Sequence, residues 1–382
     1  MAGLVLLRHA DPEVSGAGEP TRPNIVVIQT DDQTAASFNR RTMPATTRLL
    51  ADGGTAFSEY VVASPLCCPS RASLETGQYP HNNAVVSNSP GYGALAGKHN
   101  TLPTWLGRAG YRTAHVGKYM NNYDKFARDP AAAAPGWDEW VTMMPPYSYF
   151  GFELAENGER VRYAESRGDY LTTVLNRSAA RIARDFAAEP EPFYLQLDHF
   201  APHGQSVDKR GSCGRTALPL PGDFRRFARE RLPLPPSFDE GDVSDKPPFR
   251  RLLNRLPAGR IESIRDNYRC RIASLRAVDR GVARIHRAIG RAGELDDTVF
   301  LFTSDNGFLQ GEHRIPAQKA QAFEEAIRVP MVIRAPDSVR AGVPSVPEID
   351  LPTANLDLAP TFLELAGAKP CRAPGLCRTL DG

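Results

Sequence analysis

Two pairs of oxygen-bearing side chains have the composition of a site for a hard cation. Asp31 and Asp32 are consecutive, and Asp305 and Asn306 form a second pair far along the chain. Adjacent carboxylates repel each other strongly unless a cation lies between them. Because all four side chains offer oxygen ligands, we expect Ca²⁺, or alternatively Mg²⁺, whereas Zn²⁺ would favour a cluster that contains His or Cys.

The segment 65–77 (PLCCPSRASLETG) has the features of an anion site beside a nucleophile. Pro69 favours a first helical turn, which predicts that a helix begins there and that Cys67 lies just before it. Unpaired backbone N–H groups at a helix N-terminus attract anions, and Arg71 adds a positive charge one turn later. A free Cys67 would then be a thiolate of low pKa; the alternative is a structural or disulfide-bonded cysteine.

These side chains need elements that bring them together, and the apolar pattern predicts a parallel sheet with crossover helices. The predicted strands are residues 24–30, 112–116, 193–197, 298–303 and 330–334. The predicted helices are residues 101–109, 170–188, 260–291 and 352–366, the last with Gly367 as its C-cap. The fold class is therefore α/β, built on one large sheet.

Polar residues follow four of the predicted strands. In chain order they are Asp31 and Asp32, Gly117 and Lys118, Asp198, His199 and His203, and Asp305, Asn306 and Gly307. Ligands of open α/β sheets bind outside the carboxyl ends of the strands, where the loops converge. Each group alone is ordinary turn chemistry, but four groups at one edge predict a functional site.

The run Cys67-Cys68-Pro69-Ser70-Arg71 resembles the C-x-P-S-R signature of the sulfatase family, within the alkaline-phosphatase-like superfamily. The resemblance extends over about residues 23–382, through the segments 23–33, 117–121, 201–203, 303–307, 315–319 and 356–361. It is strongest to the N-acetylglucosamine-6-sulfatase and arylsulfatase branch. Two residues depart from the family pattern: Glu75 stands where Leu is usual, and Met120 where other branches have His.

The resemblance implies a mechanism centred on Cys67. A formylglycine-generating enzyme would oxidise this cysteine to formylglycine, which is hydrated to a geminal diol. One hydroxyl would attack the sulfur of a sulfate ester, and the other would later expel sulfate. The resemblance therefore implies a sulfuric ester hydrolase that acts on a sulfated sugar, a glycosaminoglycan or an aryl sulfate.

The resemblance also implies a role for each site residue. The converted Cys67 would join Asp31, Asp32, Asp305 and Asn306 as a ligand of the divalent cation. The sulfate oxygens would be held by Arg71, Lys118 and Lys319, which act as donors at neutral pH. His203, whose pKa is about 6.5 if it is unperturbed, would protonate the departing alkoxide. His313 is a further candidate for contact with the substrate.

The resemblance implies a division of the chain. Residues 1–22 are expected to be a tail outside the core, residues 23–370 a catalytic domain with a mixed, mostly parallel sheet, and residues 371–382 the start of a truncated C-terminal antiparallel subdomain. Within the catalytic domain, segment 209–260 is a Pro-rich insertion with twelve Lys and Arg against six Asp and Glu. It is either a solvated loop or a basic rim that steers a polyanionic glycan.

Composition limits the partners. The 382 residues carry 46 basic and 44 acidic side chains, so the net charge of +2 does not predict a polybasic binder of nucleic acid. No run of 18 apolar residues predicts a membrane span.

The compartment is addressed by the N-terminus and by the cysteines. Residues 1–7 are too short an apolar run for a secretory signal. Four cysteines could nevertheless form two disulfides, Cys371 with Cys377 among them: Cys213, Cys270, Cys371 and Cys377. The compartment stays open, with secretion favoured by the resemblance and by cysteine pairing; four reduced thiols are the alternative.

Other functions stay open at this point. A phosphatase or phosphonate monoester hydrolase would share the superfamily fold, and an inactive homologue could bind glycans without hydrolysing them. An isolated match of residues 7–10 (LRHA) to histidine phosphatases lacks a second half. Several aromatic residues could stack on sugars or belong to the core: Tyr92, Tyr119, Tyr123, Trp137, Trp140, Tyr147 and Tyr149.

Overall fold

The fold is known from a computed structural model that describes residues 22–206, 213–340 and 346–382. The strands are β1 (Asn24–Thr30), β2 (Thr55–Phe57), β3 (Tyr60–Val61), β4 (Arg112–Gly117), β5 (Glu139–Met144), β6 (Glu153–Glu156), β7 (Glu159–Arg162), β8 (Phe193–Asp198), β9 (Thr298–Ser304), β10 (Met331–Arg334), β11 (Glu348–Ile349) and β12 (Thr353–Ala354). Ten of them form one sheet in the order β11-β2-β10-β9-β1-β8-β4-β5-β6-β7, while β3 pairs with β12.

The longer helices pack on both faces of this sheet. They are α1 (Cys67–Thr76), α2 (Leu102–Arg108), α3 (Leu171–Phe186), α4 (Pro221–Phe227), α5 (Ala258–Ala292) and α6 (Leu358–Ala366). Short helical turns occupy Ala35–Ser37, Pro44–Thr46, Thr47–Ala51, Pro80–Asn83, Gly91–Ala94, Tyr123–Phe126, Arg167–Asp169, Pro248–Arg251, Glu294–Asp297, Glu324–Ile327, Asp337–Arg340 and Asn355–Asp357.

The centre of the sheet is parallel. β9, β1, β8, β4 and β5 run in one direction, and β1 is buried along its whole length, as expected for a strand covered on both faces. β10 runs antiparallel to β9, because the chain returns through the turn Glu324–Ile327 at the same edge without a crossover helix. The predicted mixed, mostly parallel α/β sheet is confirmed, and the all-parallel arrangement of the five predicted strands is wrong for β10.

The two faces of the sheet carry separate apolar cores. One core packs α3 and α5 against residues such as Val26 and Ile28 of β1. The other packs α1, α2 and α6 against Ile25 and Val27. The alternation of β1 side chains between the two faces divides the core in this way.

Six of the seven candidate aromatic residues are core residues. Tyr92, Tyr119, Tyr123, Trp137, Trp140 and Tyr149 are each at most 7% exposed. Tyr119 packs against the rings of Tyr92, Tyr123 and Trp140 at centroid distances of 5.0–5.9 Å. Stacking of these six residues on a sugar is therefore excluded by their burial, and Tyr147 is the half-buried member of the set.

Two predicted helix starts are wrong. α1 begins at Cys67 rather than Pro69, since Leu66 is extended and its carbonyl accepts a hydrogen bond from the Ser70 N–H at 3.1 Å. α6 begins at Leu358 rather than residue 352, because β12 and the turn Asn355–Asp357 occupy the preceding residues. Gly367 ends α6 with φ 59°, as predicted for a left-handed C-cap.

Two disulfides use the four cysteines outside segment 65–77. Cys213 is bonded to Cys270 on α5, and Cys371 is bonded to Cys377. The pairing alternative is thus confirmed over four reduced thiols. Cys67 and Cys68 are free and buried.

The segments outside the predicted core differ in how far they are described. Residues 1–21, including the LRHA match, and residues 209–212 lie outside the described ranges. The described remainder of the insertion contains α4 and the turn Pro248–Arg251. Residues 371–382 pack back on the main domain, where the Asp381 carboxylate accepts hydrogen bonds from the Tyr79 N–H and from Asn82, both at 2.8 Å. Among the described residues, no helix is long and apolar enough to cross a membrane.

Gly117 ends β4 in a conformation that requires glycine. Its φ is 119°, and a Cβ there would lie 1.9 Å from the carbonyl oxygen of Asp198. We expect Gly117→Ala to lower the free energy of unfolding by about 3 kcal/mol, from strained backbone and overpacking. Urea unfolding of both proteins measures this difference.

Gly107 provides the matched control, because it is exposed in α2 and a Cβ there meets nothing within 4 Å. Gly107→Ala should stabilise the protein by about 0.5–1 kcal/mol through helix propensity. Equal effects of the two substitutions would contradict the close approach of β4 and β8.

Candidate active site

The carboxyl edge of the sheet gathers four buried carboxylates. Asp31 and Asp32 follow β1, Asp198 ends β8, and Asp305 follows β9. Each is at most 2% exposed. Neighbouring parallel strands end together at this edge, which is why residues far apart in the chain meet here.

Cys67 enters this cluster from the first turn of α1. Its Sγ lies 3.5 Å from Asp31 Oδ1 and 2.6 Å from the ammonium nitrogen of Lys319. Burial and the charge of Asp31 raise the pKa of Cys67 to about 11. The prediction of a low-pKa thiolate is therefore wrong, because desolvation beside carboxylates outweighs the helix terminus and the two lysines.

Arg71 is buried in the same cluster and is held by carboxylates. Its Nε donates to Asp305 Oδ2 at 2.9 Å, and its Nη1 lies 3.2 Å from Asp198 Oδ1. Nη1 also donates to the Lys118 carbonyl at 2.7 Å. Arg71 thus links the ends of three strands, and its predicted contact with sulfate stays a prediction.

The two lysines neutralise the aspartate pair. Lys118 Nζ donates to Asp31, and Lys319 Nζ donates to Asp32. Burial alone would raise the pKa of Asp31, but Lys118, His203 and Lys319 hold it well below its usual value. The pair is therefore ionised at neutral pH and depends on nearby positive charge.

The arrangement can hold a divalent cation. Asp31, Asp32, Cys67 and His203 each offer a ligand atom, and these atoms lie within 4.8 Å of one another. Asn306 donates from Nδ2 to Asp32 at 2.6 Å, while its buried Oδ1 has no hydrogen-bond partner among the described residues. A buried amide oxygen without a donor, beside carboxylate oxygens, is the donor set that Ca²⁺ or Mg²⁺ takes.

His203 lies beside the aspartates, and its role as the acid for the leaving group stays a prediction. Its Nε2 is 3.8 Å from Asp32 Oδ2, and its Nδ1 is bonded to the Gly204 carbonyl. Burial lowers the pKa of His203 to about 4, despite the nearby carboxylates. The pKa lies below the value of an unperturbed histidine, and the ring is neutral at pH 7 in this arrangement.

His313 lies apart from the cluster. Its Nδ1 is 2.9 Å from Glu240 and its Nε2 is 3.1 Å from Glu325. The ring also stacks on Phe323 with centroids 4.0 Å apart. Both ring nitrogens are thus engaged by the protein, and contact of His313 with substrate stays a prediction.

A model of the sulfatase family matches residues 23–368. The chain belongs to the sulfatase family. It is 32% identical over 379 residues to an arylsulfatase from Chlamydomonas reinhardtii, covering 93% of this chain and 57% of that protein. It is 31% identical over 356 residues to N-acetylglucosamine-6-sulfatase from Homo sapiens, covering 91% of this chain and 61% of that protein. The chain therefore spans about three-fifths of the length of both relatives.

A solved structure supports the fold. A protein whose structure is solved in complex with its substrate, D-glucosamine-2-N,6-O-disulfate, superposes with a TM-score of 0.68 at 23% identity, covering 91% of this chain and 77% of that one. At this identity the likeness establishes the fold. The predicted mixed, mostly parallel sheet with flanking helices is thereby confirmed.

Asp198 and Arg271 are positioning residues; the sequence placed Asp198 at this edge without giving it a role, and it did not assign Arg271 to the site. Asp198 accepts hydrogen bonds from Gln29 and Gln196, both at 2.8 Å, and lies 3.0 Å from His115 Nε2. Its place after a strand was visible in the sequence, but its partners come from three strands whose order was not. Arg271, on α5, donates to the Asp32 carbonyl, with its guanidinium 4.1 Å from the Phe308 ring.

A cavity of about 360 Å³ opens beside the cluster. Asp32, His203 and Lys319 line it on the side of the site, and Arg215 and Arg271 line it elsewhere. The disulfide between Cys213 and Cys270 ties the loop that carries Arg215 to the helix that carries Arg271. This cavity has the charge expected for an anionic substrate.

Glu75, the departure from the family pattern, is buried in α1 at 1% exposure. The Tyr119 hydroxyl donates to it at 3.0 Å, and burial raises the pKa of Glu75 to about 8. A carboxyl with a raised folded-state pKa holds its proton in the native protein after the unfolded chain has lost it. Stability is therefore expected to fall as pH rises from about 4.5 to about 8.

Glu75→Gln keeps the shape of the side chain and removes this titration. The variant should be more stable than the native protein at pH 8, by about 4 kcal/mol, and similar to it near pH 4.5. Urea unfolding at both pH values measures the difference. A pH slope that persists in the variant would show that other groups produce it.

Calcium should stabilise the folded protein by binding at Asp31, Asp32, Asp305 and Asn306. At about a hundred times its Kd, a ligand adds about 2.7 kcal/mol to the free energy of unfolding. We expect this stabilisation in the native protein and its loss in Asp32→Asn, measured as the shift in Tm on adding CaCl₂. Asp296→Asn, at an exposed turn, is the control and should keep the shift; an undiminished shift in Asp32→Asn would refute the assigned ligand.

Proposed function

We propose that this chain hydrolyses sulfate monoesters, using formylglycine derived from Cys67 and a bound divalent cation. The observation that carries the proposal is the position of Cys67, at the N-terminus of α1 and 3.5 Å from Asp31, in a chain of the sulfatase family. Lys118 and Lys319 supply positive charge at the same point. Such a site favours a tetrahedral anion next to the residue that attacks it.

The thiol of Cys67 is poorly suited to be the nucleophile itself. Its raised pKa leaves it protonated at neutral pH, and the thiolate is the reactive form of cysteine. Conversion to formylglycine and hydration would supply a hydroxyl at the same position. Asp31 and Lys319, which already contact Sγ, would then orient that hydroxyl.

Charge on the sulfuryl oxygens would be held by the lysines and by the cation. When bound, the divalent cation would supply electrostatic stabilisation worth several kcal/mol, with Asp31, Asp32, Asp305 and Asn306 as its protein ligands. Lys118 and Lys319 would exchange part of their contact with carboxylates for contact with sulfate oxygens. Arg71 would keep Asp198 and Asp305 in place while facing the same point.

His203 would protonate the leaving alkoxide. Its ring is neutral in the free protein, but a nearby anionic ester favours the protonated form of a histidine. The bond from Nδ1 to Gly204 leaves Nε2 as the atom that faces the site. The protein therefore orients this ring for proton transfer at one atom.

The substrate class that we propose is a sulfated sugar, a glycosaminoglycan or an aryl sulfate. The names of the two relatives indicate such substrates, and the cavity beside the site is lined by Arg215, Arg271 and Lys319. Maturation would require a formylglycine-generating enzyme as partner. Two disulfides favour an oxidising, extracellular or periplasmic compartment.

Cys67→Ala should abolish hydrolysis of a sulfate monoester, by a factor of about 10³ or more, because it removes the proposed nucleophile. Cys68→Ala is the matched control, since the neighbouring free cysteine is also buried, and should retain activity. The intact mass of the active protein should be about 18 Da below the mass calculated with unmodified Cys67 and Cys68, as conversion of Cys67 to formylglycine predicts.

Paired substrates separate the alternatives. The protein whose intact mass shows the conversion of Cys67 is assayed with the sulfate ester and the phosphate ester of the same alcohol. We expect it to hydrolyse the sulfate ester faster. Preference for the phosphate or phosphonate ester would favour the superfamily alternative. An inactive homologue would be favoured if the intact mass shows an unmodified Cys67 and the protein binds glycans without hydrolysing them.

A further inference from the structure

We propose that a groove between α3 and α5 binds linear sulfated glycan chains, at a site separate from the cluster around Cys67. The groove encloses about 650 Å³. It is lined on its flanks by six arginines, Arg177, Arg181, Arg184, Arg284, Arg287 and Arg291. The choice of a sulfated glycan as ligand rests on the proposed function, whereas the groove itself does not.

The two helices create the groove by the way they pack. Gly281 lets α5 approach α3 closely, since a Cβ there would lie 2.0 Å from Asn176 Oδ1. Asn176 also donates to the Ala277 carbonyl at 2.8 Å. Beyond this contact the facing residues are small, and Ala180 and Ala288 line the groove with the arginines on either side.

The arginines form two rows along the helices. On α3 they are Arg177, Arg181 and Arg184, and on α5 they are Arg284, Arg287 and Arg291. Spacings of three and four residues place each row on one helical face. The row on α5 covers about 10 Å of helix axis, at 1.5 Å per residue. Two rows of like charge facing each other across a narrow groove favour an elongated anion with repeated charges.

The positive charge of the groove is mostly uncompensated. Asp185 pairs with Arg184 at 2.6 Å and with Arg181 at 3.4 Å, and Glu139 lies 3.8 Å from Arg181. Within the described ranges, Arg284, Arg287 and Arg291 have no ion-pair or hydrogen-bond partner, and all three are exposed. Like charges placed this close destabilise a helix, so an anionic ligand would relieve a repulsion already present.

The favourable interaction of positive side chains with a helix C-terminus explains the positions of two of the six groove arginines. A positive side chain in the last turn of a helix is favourable, and Arg184 and Arg291 meet that condition. The other four arginines of the groove precede the last turns and lie beyond the range of that effect: Arg177, Arg181, Arg284 and Arg287. Guanidinium groups bind sulfate and carboxylate oxygens in a bidentate manner, which makes a sulfated, uronate-containing chain the matching polyanion.

The groove lies at the opposite edge of the sheet from the cluster. α3 ends at Phe186 and leads into β8, and α5 ends at Ala292 and leads into β9. The groove is therefore close to the amino ends of these strands, whereas Asp198 and Asp305 are at their carboxyl ends. A long glycan held there would keep its chain near the protein between turnovers, raising the local substrate concentration.

The test compares two triple variants for binding of a heparin octasaccharide by calorimetry. The groove variant is R284A/R287A/R291A, and the control is R128A/R160A/R162A, three exposed arginines outside both the groove and the insertion. We expect the groove variant to bind at least tenfold more weakly than the native protein, with a smaller dependence of affinity on salt. The control variant should bind like the native protein.

Hydrolysis of a small sulfated monosaccharide is measured in parallel and should be unchanged in the groove variant. The groove would not be the glycan-binding site if that variant keeps its affinity for heparin, or if the control variant loses affinity instead. Equal or tighter binding of a single-stranded DNA of the same charge would overturn the sulfated glycan as its ligand. Absence of turnover in the native protein would contradict the proposed function but leave the binding comparison intact.

Discussion

The structure depends on the neutralisation of carboxylates that are buried at one edge of the sheet. Asp31, Asp32, Asp198 and Asp305 are removed from water there, and burying unpaired charge is costly. Arg71, Lys118 and Lys319 offset this cost, each in contact with at least one of the carboxylates. The position of α1, the ends of three strands and the loop of Lys319 all follow from this balance of charge.

The same balance determines which groups are reactive. Burial among carboxylates keeps Cys67 as a thiol and His203 as a neutral ring. Neither group is then ready for catalysis as it stands, although both face the point where an anion would bind. Oxidation of the cysteine, binding of a cation and binding of an anionic ester each change that electrostatic environment, which is how the proposed chemistry would become possible.

The helices that complete the two core layers also separate two kinds of positive charge. At the carboxyl edge, Lys118 is buried and Lys319 is half-buried, and both are paired with aspartates. The six arginines that line the groove between α3 and α5 are exposed and largely unpaired. Buried cations of the first kind hold a reaction centre in shape. Exposed cations of the second kind add little to stability, and for that reason we assign them to ligand binding.

The sequence by itself determined the central strands, the long helix α5, the family signature at Cys67 and the residues that follow each strand, because these are patterns between neighbours in the chain. It could not determine the antiparallel direction of β10, the start of α6 or the partners of Asp198, which depend on strand order. The pKa of Cys67 was also mispredicted and the shift at His203 was not visible, since desolvation is set by residues distant in sequence. Tertiary structure alone decided that His313 lies apart and that two rows of arginines face each other.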